Sequence, residues 1–77
     1  MDPRVRLQAI EKNIADAREM IAKCQAQVDG FSAMQPTRLM SQKRIDRRIA
    51  LFTREVEQWR KRLARAEAQR AAILSGG

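Results

Sequence analysis

Apolar side chains recur at alternating steps of three and four along most of the chain. Leu7, Ile10, Ile14, Ala17, Ile21, Cys24, Val28 and Phe31 form one series; after a break, Ile45, Ile49, Phe52, Val56, Trp59, Leu63, Ala66 and Ile73 form a second. That spacing keeps one stripe of each helix turned toward a partner helix, as in the a and d positions of a heptad seam. The pattern predicts an all-α fold, an antiparallel two-helix coiled-coil hairpin in a single domain over 1–77. Its helices are expected over about 3–29 and about 38–74.

Local signals set those limits. Asp2-Pro3 places an N-capping carboxylate before a proline whose missing N–H costs nothing in the first helical turn. Asp29-Gly30 reads as a helix stop, and the Gly, Ser and Pro residues between Gly30 and Thr37 read as the loop. Thr37 and Ser41 are alternative caps for the second helix. Phe31, Met34, Leu39 and Met40 are expected to cover the closed end of the hairpin, and Ser75-Gly76-Gly77 reads as a flexible end.

In an antiparallel pair each a residue faces a d residue, so facing residue numbers share a constant sum. A sum of 73 places the turn between Pro36 and Thr37 and pairs Val28 with Ile45, Cys24 with Ile49, Ile21 with Phe52 and Ala17 with Val56. It continues through Ile14 with Trp59, Ile10 with Leu63, and Leu7 with Ala66. It also brings Arg4 near Glu67 and Glu11 near Arg60, and it leaves Ile73 and Leu74 beyond the start of the first helix, without cover in the same chain.

At 77 residues the chain is below the size at which one core is comfortably stable. A homodimer, in the form of a four-helix bundle, is therefore expected. Alanines on the shoulders of both helices offer close approach: Ala15 and Ala22 on the first, and Ala50, Ala64, Ala71 and Ala72 on the second. Met20, Leu51, Ile73 and Leu74 complete this candidate dimer or partner surface.

Charge separates the two halves. Residues 1–37 carry five Lys/Arg and five Asp/Glu, whereas residues 38–77 carry eleven and four, so the whole net charge of +7 belongs to the second half. Arg47, Arg54 and Lys61 recur every seven residues at the position farthest from the seam, flanked by Lys43, Arg44, Arg48, Arg62 and Arg65. Seven helical residues advance about 10.5 Å, so these eight form a basic rail suited to an acidic protein or a phosphate backbone. With Phe52 and Trp59 assigned to the seam, no aromatic is left to stack on bases. Nucleic-acid binding would then be electrostatic and weakly selective.

Catalytic parts are scarce. The chain has no His, no Tyr and one cysteine, Cys24, which the seam buries as a small hydrophobe. Metal ligation and nucleophile–base pairs lack their components, and no enzyme activity, cofactor or small-molecule substrate is expected. Glu19 with Lys23 and Glu57 with Lys61 are i,i+4 pairs that support their helices. Neither a membrane-spanning run nor a signal-peptide core is present, and a lone cysteine suits a reducing compartment, so the expected location is the cytoplasm. The function read from these features is a non-enzymatic protein-interaction module: a small dimeric adaptor or inhibitor that occludes another macromolecule, of the kind phages and other mobile elements encode. The alternatives are a nucleic-acid-associated protein using the basic rail and a structural subunit of a larger helical assembly.

Overall fold

The computed structural model describes residues 2–76. Gly77, the last residue of the end read as flexible, lies outside them. Two helices, α1 (Pro3–Ser32) and α2 (Gln42–Leu74), make up the hairpin. They lie side by side in an envelope of 57 × 17 × 14 Å. The radius of gyration is 17.4 Å, against roughly 11.5 Å for a compact domain of this length, so the molecule is a rod two helices wide.

The start of α1 follows the sequence signals. Asp2 Oδ1 accepts the Arg4 N–H at 2.9 Å, and Pro3 occupies the first turn. Its end does not: the helix passes through Asp29-Gly30 to Ser32, where the Ala33 N–H closes the last turn on the Asp29 carbonyl at 3.1 Å. Those extra residues put Phe31 on the seam, where its ring stacks on Phe52 with centroids 6.0 Å apart and an interplanar angle of 17°. An aromatic pair is worth about 0.5–1.5 kcal/mol beyond its buried area, enough to offset the roughly 0.5–1 kcal/mol that a mid-helix glycine costs.

The second helix begins later than the expected residue 38. Thr37 closes a turn of its own: its N–H donates to the Met40 carbonyl at 2.8 Å, and its Oγ1 accepts the Met40 N–H at 3.1 Å. Ser41 is therefore the cap, with its Oγ accepting the Arg44 N–H at 3.3 Å. The Arg44 guanidinium donates back to the Leu39 carbonyl at 3.0 Å and ties loop to helix. The expected apolar cover at this end is only partial. Phe31 and Met40 are half-buried and Met34 is exposed, while Leu39 stands out at 85% exposure.

Burial follows the heptad. Ile10, Ile14, Ala17 and Cys24 of α1 and Ile45, Val56 and Ala66 of α2 are the buried residues, all at seam positions. The pairing across the seam differs from the predicted sum of 73. Phe52 meets Phe31 rather than Ile21. Ala66 clusters with Ile10 and Ile14 rather than Leu7. Ile73, expected to lack cover, packs against that same cluster. These contacts center on a sum near 80, one heptad from the prediction, because a shift of seven residues leaves every a and d position on the seam. The shifted register gives Phe31 and Ile73 partners that the other leaves without.

The slip also separates the charges meant to flank the seam. Moving one heptad displaces a side chain by about 10.5 Å along its neighbour, and neither Arg4–Glu67 nor Glu11–Arg60 forms. Glu57 and Lys61 do not pair either. Among the described residues the one salt bridge is Glu19–Lys23, at 3.1 Å within α1. No helix among the described residues is long and apolar enough to cross a membrane.

Candidate interaction surface

A helix turns about 100° per residue, so each heptad position has a fixed place around the rod. With the a and d residues inward, the f positions point directly away from the seam. The g and c positions form one flank of the hairpin, and the e and b positions form the other.

Arg47, Arg54 and Lys61 occupy f positions, and the five basic residues around them occupy g, c and b positions. Lys43, Arg44, Arg47, Arg48, Arg54, Lys61, Arg62 and Arg65 are all exposed on α2. Two of them are engaged locally: Arg44 with the Leu39 carbonyl, and Arg62 with its guanidinium carbon 4.6 Å from the center of the Trp59 ring. None of the eight has a carboxylate in salt-bridge range among the described residues. Their charge is left to the solvent or to a partner.

The candidate dimer surface is divided by the structure. Ala15, Ala22, Ala50 and Ala64 occupy b positions and lie on the e/b flank, exposed. Met20 and Leu51, at g and c positions, lie on the opposite flank, Met20 half-buried and Leu51 46% exposed. Ile73 belongs to the core cluster, and Leu74 beside it is 65% exposed. These residues therefore do not form one patch. The alanines define a smooth e/b flank; Met20 and Leu51 belong with something else.

That something is a groove, which reading the seam alone did not reveal. Four hollows follow one another down the g/c flank. The first, of about 210 Å³, is lined by Arg6, Gln69, Ala72 and Ile73. The second, about 380 Å³, lies between Asn13, Asp16 and Ala17 of α1 and Trp59, Arg62, Arg65, Ala66 and Gln69 of α2. Met20, Lys23, Cys24, Ala26, Gln27 and Phe52 line the third, about 370 Å³. Gln27, Gly30, Phe31 and Met34 line the last, about 160 Å³. From Arg6 to Met34 the row follows α1 for roughly 40 Å. The signal for it in the sequence was Met20, an apolar residue one step off the seam.

The two flanks differ in charge. The g and c positions carry Arg6 and Lys23 on α1 and Arg44, Arg48, Arg62 and Arg65 on α2, against Asp16 and Glu55 alone. The e and b positions carry Arg4, Arg18, Lys43 and Arg60 against Glu11, Asp29, Asp46, Glu57 and Glu67. The grooved flank is basic, and the alanine flank is close to neutral.

Chemically the surface offers cations, amides and apolar contact. Cys24 is buried, and no three His, Cys, Asp or Glu side chains cluster as metal ligands among the described residues. In comparisons with known proteins, no family model, curated protein or solved structure matches the chain.

Proposed function

We infer that the protein is a non-enzymatic interaction module, a small helical adaptor or inhibitor that acts by binding and occluding another macromolecule. Its surplus surface carries this reading. The chain exposes 6154 Å², whereas a compact monomer of its 8.9 kDa mass would expose about 4,800 Å². The excess is on the order of 1,300 Å², more than the roughly 800 Å² that each partner contributes to a standard interface. A layer two helices thick has only one buried seam, and a third or fourth helix is what would cover the remainder.

Self-association suits the alanine flank. There the charges nearly balance, and small side chains allow helices to approach closely, so a second copy meets no net repulsion. Affinity capture with the full chain from its native host, followed by sedimentation of the purified components, tests the reading. A stoichiometric complex is expected. For the chain alone, a dimer mass is expected, with a melting temperature that rises with concentration. A monomer whose melting temperature ignores concentration, together with the absence of any stoichiometric partner, overturns it.

A second reading, association with nucleic acid, is favoured by the eight exposed basic side chains named above, none of which has a carboxylate partner among the described residues. Such binding rests on counterion release from phosphates and carries little sequence information.

A further inference from the structure

We propose that the groove on the g/c flank docks an acidic amphipathic helix from another protein, apolar stripe inward and carboxylates toward α2. This rests on the interaction-module reading and specifies its partner. Two helices packed side by side leave between them a channel into which a third packs 8–10 Å from each. Along this channel the floor residues of α1 recur as Ala17, Met20, Cys24 and Gln27, the three-and-four spacing that an opposing helix matches with its own i, i+3, i+4 and i+7 positions. An extended strand, with side chains alternating every two residues, does not share that repeat. The three hollows that both helices line run from Arg6 to Gln27 on α1, roughly 32 Å, and accept a helix of up to about 21 residues.

Charge selects among helices. The α2 wall presents Arg62 and Arg65 beside the hollow of about 380 Å³, and neither is in a salt bridge. The guanidinium of Arg62 lies over the Trp59 ring, which holds it at the rim. A partner helix with Glu or Asp flanking its apolar stripe complements this wall. A second copy laid on the same flank would bring net positive charge against net positive charge, so like-charge repulsion sends self-association to the other flank.

The test is a selection from a display library of 21-residue helices, tryptophan-free, with Leu fixed at a and d positions and the remaining positions randomised. Selected peptides are then titrated against the full chain, whose single tryptophan, Trp59, reports from the groove. Enrichment of Glu and Asp beside the leucines is expected, with a saturable change in Trp59 emission. The Arg62→Glu/Arg65→Glu variant should weaken binding at least tenfold. Because those arginines are exposed, helicity by circular dichroism should not change. Met20→Glu, which places a carboxylate in the groove without touching the arginines, should weaken it similarly, and Ala50→Glu on the opposite flank should not. Enrichment of Lys and Arg, no enrichment, or binding indifferent to both groove variants overturns the proposal. So does a homodimer that shields Trp59 and excludes the peptides. A native partner that still binds both groove variants would leave the interaction module standing and remove the groove as its docking site.

Discussion

Gly30 is the residue whose local preference and tertiary role most plainly disagree. It lies within α1, two positions before the helix end, and a methyl group built on its Cα would meet nothing within 4 Å. Its backbone is helical, so the extra freedom of glycine serves no turn there and costs folding entropy. Gly30→Ala should therefore stabilise the hairpin by about 0.5–1 kcal/mol. For a domain of this size that corresponds to a rise in melting temperature of roughly 2–8 °C. Thermal unfolding by circular dichroism is the measurement. A lower melting temperature would mean that the helix does not continue through Gly30, and that the stacking of Phe31 on Phe52 is not a feature of the folded chain.

At the scale of the helices, the seam sets composition but not alignment. Which residues are buried was legible in the sequence, because a stripe repeating every three and four positions has only one inward face. Which residues face one another was not, because a heptad repeat maps onto itself after seven residues. The choice lay in the loop and the ends, where Thr37 turned onto Met40 instead of capping a helix and Phe31 extended the first stripe. The two alignments make opposite demands on Cys24. A sum of 73 sets it against Ile49, whereas the observed alignment sets it against Val56, and both Cys24 and Val56 are buried. Under mild oxidation Val56→Cys should form an intramolecular disulfide with Cys24 in preference to Ile49→Cys, read by mass and by gel mobility with and without reductant. The reverse preference would restore the shorter register. The groove was legible only in part: Met20, one step off the seam, marked its flank, but which side chains face one another across it follows from the register.

Over the whole molecule, the basic character of α2 serves two readings that use different faces. A helix docked on the g/c flank meets Arg62 and Arg65, whereas a phosphate backbone tracking the outer ridge meets Arg47, Arg54 and Lys61. Those three f-position residues are exposed and make no salt bridge, so replacing them with glutamine should leave helicity and melting temperature nearly unchanged. If the ridge follows a duplex, each lost contact removes about 0.9 from the slope of log affinity against log salt. The triple variant should then flatten the slope by roughly 2.7 and weaken binding to all sequences alike. A fluorescent DNA duplex titrated across a salt series measures both. If the wild-type chain is not retained even at low salt, or if the triple variant keeps its slope, the outer ridge is a solvated helix face and its charge is not a phosphate-reading device. The same variant should still bind acidic peptides in the groove, since its substitutions leave Arg62, Arg65 and Met20 in place. Loss of both activities together would mean that a single diffuse positive field, rather than two separate faces, accounts for what this hairpin binds.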